Sequence, residues 1–125
     1  MKQNFNKPLF FIGIMASLFT TANHAAACQY GQCWNAVAVG PNWAAGYVTD
    51  RATAPEAYDR AKRSCGESCD VVEVFDGGCG SLATSREGTA YFGLGSARRI
   101  AAKDAMNRCG ILNKSCVTRI TTCSR

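Results

Sequence analysis

A helix that stops at Cys-Gly and is followed within a few residues by a second cysteine opening a strand is the most constraining feature of this chain, because it is written twice. The first copy occupies residues 57–75. Cys65-Gly66 ends the helix and Cys69 precedes the β-branched run Val71-Val72-Glu73-Val74-Phe75. The second copy starts at Ala101, stops at Cys109-Gly110 and resumes, after a longer turn, with Cys116-Val117-Thr118-Arg119-Ile120. Glycine after the last periodic residue supplies the left-handed conformation that closes a helix, and β-branched residues suit a pleated strand.

Each copy is preceded by a hairpin pattern. Residues 34–39 and 43–48 flank the turn residues Gly40-Pro41-Asn42, and residues 80–84 and 89–93 flank Ser85-Arg86-Glu87-Gly88. Thr53, Pro55 and Glu56 form a capping box with proline in the first turn, so the first helix starts at Thr53 and ends at Cys65. Ser96 is the corresponding cap of the second helix, and Gly110 its stop. The small pairs Ala57 with Ala61 and Ala101 with Ala105 allow both helices to approach a sheet closely. The expected fold is therefore α+β: two pseudo-repeated ββαβ units, about 33–76 and 79–123, with antiparallel sheet, two helices and disulfide staples.

The first 27 residues stand apart. Lys2 and Lys7 precede an apolar run over 8–19, and the small residues Ala25-Ala26-Ala27 follow. That is the order of a secretory signal peptide, and the apolar run is shorter than a bilayer span. The chain is expected to be exported to the periplasm or the medium as one disulfide-rich domain, 28–125, with no transmembrane segment. Removing Lys2 and Lys7 leaves 12 of the 14 basic residues against all 9 acidic ones, a net charge near +3. So small an excess argues against a nucleic-acid partner. His24, the single histidine, leaves with the leader. A mature chain without imidazole has no histidine general base, no triad of the usual kind and no histidine metal ligand.

All eight cysteines lie beyond the leader. An even count in a short exported chain reads as a disulfide framework. Duplication symmetry pairs Cys65 with Cys69 and Cys109 with Cys116. Cys79 then pairs with Cys123, and Cys28 with Cys33. The competing reading of Cys65 and Cys69 as half a zinc site lacks a second close pair. A redox role for Cys65 conflicts with its place at a helix C-terminus, where the dipole disfavours a thiolate. Cys28 at the first mature position is a candidate for lipidation, although lipidation would leave an odd cysteine.

The order of these pieces resembles the bacterial exported family called domain of unknown function 4189. The residues that carry the resemblance are Ala-Val-Ala-Val-Gly-Pro at 36–41, the alanine-rich helix ending in Cys65-Gly66, Cys-Asp-Val-Val at 69–72 and Cys-Gly-Ser-Leu-Ala at 79–83. The last strand departs from that pattern: it is polar where the family is valine-rich. The resemblance implies export and this fold, and it transfers no catalytic residue, cofactor or metal ligand.

What remains is a rigid exported domain without a recognisable catalytic constellation. The function expected is a non-enzymatic periplasmic or secreted binding module, in its most concrete form an inhibitor or immunity protein against an envelope-acting enzyme. The partner is a protein or an anionic envelope polymer. The candidate contact residues are Trp34 and Trp43 on the first hairpin, and Arg98, Arg99 and Lys103 on the second helix. The basic faces of the two helices, including Arg60, Lys62, Arg63 and Arg108, share one side if the helices lie together. The alternatives are a small envelope hydrolase using carboxylates and a structural surface protein lipidated at Cys28.

Overall fold

The computed structural model describes residues 33–125. The leader, Cys28 and Tyr30 lie outside the described residues. The elements follow the ββαβ order twice: β1 (Trp34–Val39), β2 (Ala45–Arg51), α1 (Ala54–Cys65), β3 (Val71–Asp76), then β4 (Cys79–Ser85), β5 (Ala90–Gly95), α2 (Arg98–Leu112) and β6 (Cys116–Cys123).

Each unit builds its own antiparallel three-stranded sheet with its first strand in the centre, in the orders β2-β1-β3 and β5-β4-β6. The period-two alternation of β1 explains how the layers stack. Ala36 and Ala38 face α1 and pack with Ala57 and Ala61. Val37 and Val39 face the other way and meet Phe75 and Leu82 between the sheets. On the far side, Ala83 packs against Ala105 and Cys109 of α2. The result is four layers, α1, sheet, sheet, α2, with an apolar seam at each of three interfaces.

That layering decides where the basic helix faces lie. The helices do not lie together, since α1 packs on β1, β2 and β3 while α2 packs on β4, β5 and β6. The basic residues Arg60, Lys62 and Arg63 therefore sit on the opposite outer layer from Arg98, Arg99, Lys103 and Arg108. Face-to-face burial of two sheets outweighs any pairing of two small helices, because the sheets carry the larger apolar side chains.

Close packing of helix on sheet depends on a glycine in the second strand of each unit. A Cβ at Gly46 would overlap the Cys65 backbone, and one at Gly93 would overlap the Ala105 backbone. The facing alanines are fully buried.

The helix starts and stops show where local signals suffice. At α1 the Thr53 hydroxyl accepts a hydrogen bond from the Glu56 amide at 3.3 Å, and Gly66 at φ 119° ends the helix. At α2 both expectations move. Ala97, not Ser96, is the N-terminal cap and makes no side-chain cap bond. The helix runs through Gly110 to Leu112, and Asn113 caps it: the Asn113 amide and Nδ2 both donate to Cys109 O, at 3.1 and 3.0 Å. The physical reason is the longer connection to β6. Cys109 and Cys116 are separated by 7 positions, against 4 for Cys65 and Cys69, which leaves room for further helical residues.

Three disulfides join Cys65–Cys69, Cys109–Cys116 and Cys79–Cys123. The first two tie each helix end to the strand that follows, and the third bonds the first and last strands of the second unit. Cys33 is also disulfide-bonded. Among the described residues no helix is long and apolar enough to cross a membrane.

The buried Asn35 ties the lower end of the first unit. Its Nδ2 donates to Cys33 O at 3.1 Å and its Oδ1 accepts from the Asp50 amide at 2.9 Å. The Asp50 carboxylate in turn accepts from Ser124 Oγ and the Arg125 amide, at 3.0 and 3.2 Å. The last residues of the second unit are thereby held to the first.

Candidate functional site

Because both units run in the same direction, their tight turns collect at one end of the sandwich. The turn after β1, the Cys65–Cys69 loop, the turn after β4 and the Cys109–Cys116 loop border a single open groove of about 1020 Å³. Both disulfide clamps thus stiffen the groove's rim. Its charged lining is Arg86, Lys114 and Arg119 against Asp70 and Glu87.

Trp43 stands on the rim, 73% exposed. It lies in a two-residue hairpin turn with Asn42, closed by the Ala44 amide donating to Pro41 O at 3.2 Å. Both central residues have positive φ, 58° for Asn42 and 63° for Trp43, as a type I′ turn requires. Asparagine tolerates that region, whereas a bulky aromatic side chain there is an outlier that costs about 1–3 kcal/mol and needs support from its surroundings.

Arg119 provides the support. From β6 its guanidinium reaches across to the first unit, with Cζ 4.7 Å from the Trp43 ring centroid. The same group donates through Nη2 to Ala44 O at 3.0 Å and Gly40 O at 3.3 Å. One guanidinium therefore fixes both the turn's backbone and one face of its indole, and the remaining surface of Trp43 stays open to solvent. A fork of fixed donors stacked on an aromatic face is a role suited to arginine rather than lysine.

The sequence-derived contact residues separate in space. Trp43 is in the groove rim. Trp34 is half-buried and packs against the cluster beneath α1, so it belongs to the core. Arg98, Arg99 and Lys103 are exposed on α2, in its N-terminal half and away from the groove. The Arg98 side chain is engaged there, donating to Thr121 O at 2.8 Å. Arg119 is the site residue that the sequence pattern does not single out. Its signal is the single cation within the polar run 118–122, but only the packing of β6 against the first unit gives that cation its partner.

Elsewhere, Asp104 on α2 is held below the usual carboxylate range. The Leu94 amide donates to it at 3.0 Å, and the Arg108 guanidinium lies 3.1 Å away, which together outweigh its partial desolvation. This group locks β5 to α2 and is remote from the groove. Among the described residues no set of three or more His, Cys, Asp or Glu side chains is placed to hold a metal ion.

A comparison with curated proteins finds no match. Among solved structures, the chain is similar to the NMR structure of Rv1813c from Mycobacterium tuberculosis, with 29% identity over 74% of this chain and 75% of that one and a TM-score of 0.56. The model of the domain of unknown function DUF4189 matches residues 34–123, which span both ββαβ units from β1 to the end of β6. The chain therefore belongs to the DUF4189 family.

Proposed function

We propose that this protein is an exported, non-enzymatic binding module that engages a protein or an anionic envelope polymer through the groove at its turn end. The observation that carries the reading is Trp43. A large aromatic side chain held in a left-handed backbone conformation, 73% exposed and braced by Arg119, is costly for a fold and useful to an interface. Disulfides at two of the four turns and the Arg119 brace at a third reduce the ordering that binding would otherwise require. Inhibition of, or immunity against, an envelope-acting enzyme is the most concrete form of this role, because a rigid rim carrying an aromatic anchor suits insertion into a partner's cleft.

Hydrolysis by carboxylates is the second reading, favoured by one observation: Asp70 and Glu87 line the same groove. The two readings separate in one set of assays. Oxidised protein should retain an envelope component that Trp43→Ala loses and that Asp70→Asn/Glu87→Gln keeps. Release of product from envelope glycans that disappears in the Asp70→Asn/Glu87→Gln variant would establish the hydrolase instead.

A further inference from the structure

We propose that the C-terminal turn of α2 is a docking wedge for an anionic bilayer surface. Ile111 and Leu112 are 81% and 75% exposed, more than any other large apolar residue described. They belong to the helix end that overruns Gly110, and Asn113 holds that end helical by bonding Cys109 O and the Tyr91 hydroxyl, the latter at 2.9 Å. Val117, at 44% exposure, follows just beyond the Cys109–Cys116 disulfide. Two large apolar side chains therefore project from one braced helix end, while Val117 lines the groove beside it.

Their electrostatic setting selects the occupant. Around this corner, residues 105–118 carry Arg108 and Lys114 and no Asp or Glu. The turn after β4 adjoins this corner, with the Arg86 amide bonded to Ser115 O at 3.0 Å, and it contributes Arg86 and Glu87. Asp104, one turn below, is already paired with Arg108. Lys114 is exposed and, among the described residues, makes no ion pair. The apolar pair is convex and sits at a helix end, so it can enter a deformable lipid interface without a preformed pocket. Short apolar projections reach the boundary between headgroups and acyl chains, while long cationic side chains beside them stay at the phosphate level. Lipid phosphates of negative charge complement Lys114, which no carboxylate pairs among the described residues.

Ile111 and Leu112 lie outside the lining of the Trp43 groove, whereas Lys114 and Val117 are part of it, so the test reads the apolar pair and Trp43 separately. Oxidised protein isolated from the envelope of expressing cells is sedimented with vesicles of phosphatidylglycerol and phosphatidylethanolamine, and in parallel with phosphatidylcholine vesicles. The expected result is partitioning to the anionic vesicles that added salt weakens, and a loss of about tenfold or more in Ile111→Asn/Leu112→Asn. Lys114→Gln should give a smaller loss, and Trp43→Ala none. Both apolar residues are exposed, so the double variant keeps its fold, checked by an unchanged circular dichroism spectrum. Equal partitioning to the two vesicle types, no partitioning, or no change in Ile111→Asn/Leu112→Asn overturns the proposal. A loss confined to Trp43→Ala would overturn it too, by assigning lipid contact to the groove.

Discussion

The Arg119 guanidinium binds the two carbonyls that flank the first hairpin turn while lying 4.7 Å from the centre of the Trp43 ring, so a residue of the second unit sets the conformation of the first unit's most exposed aromatic. Removing the guanidinium strips a charged donor from two carbonyls and a cation from an indole face. Arg119→Ala should lower stability by about 1–3 kcal/mol. Arg119→Lys should recover only part of it, since an ammonium cannot reproduce the fork. Denaturant unfolding under oxidising conditions measures both, and a near-ultraviolet dichroism change confined to tryptophan would report the freed turn.

Two glycines of the second unit give opposite expectations. Gly93→Ala places a methyl group into the α2 backbone and should cost at least about 1–3 kcal/mol. Gly110 lies inside α2, away from positive φ, and a Cβ there would point into open space. Gly110→Ala should therefore stabilise the protein by roughly 0.5–1 kcal/mol. Thermal unfolding of the two variants checks both signs. A destabilised Gly110→Ala would instead mean that the helix ends there in the left-handed conformation.

The disulfides should differ in worth according to the loop each closes. Cys79–Cys123 spans 44 positions and Cys65–Cys69 only 4. On the chain-entropy account, replacing the first pair by serine costs about 4 kcal/mol and replacing the second about 2 kcal/mol. The midpoints of thermal unfolding of the two double variants provide the comparison. A greater loss from the short loop would show that the rim clamp is worth more than loop closure alone.

Asp104 predicts an acid-sensitive lock between β5 and α2. Its folded pKa lies below the unfolded value, so its contribution is full above the unfolded carboxylate range, near about 4, and fades as pH falls through the folded value. Stability measured from about pH 2 to 7 should show a weaker acid limb in Asp104→Asn than in the parent. An identical pH profile in the two proteins would remove Asp104 from the account.

The parts of the fold legible in the sequence are those that local signals determine. Thr53 and Gly66 bound α1 because a cap and a left-handed stop are decided within one turn of chain. The order ββαβ can be read for the same reason. Gly110 misleads because a glycine can close a helix or merely sit in it, and the choice falls to Asn113 and the longer loop to Cys116. The separation of the basic helix faces is decided by two sheets packing through Val37, Phe75 and Leu82, contacts that no local pattern encodes. The site is half legible. Trp43 stands out by type, while Arg119 acquires its role only when β6 lies across the first hairpin.

The most direct test of the groove as the binding surface is photo-crosslinking in envelope extract. Oxidised protein carrying a photoreactive benzoylphenylalanine in place of Trp43 is compared with protein carrying it in place of Arg99, on the far part of α2. The account predicts a discrete adduct from position 43 that excess unlabelled parent protein competes away, and no such adduct from position 99. A competable adduct from position 99 alone would contradict it and move the interface to the basic face of α2.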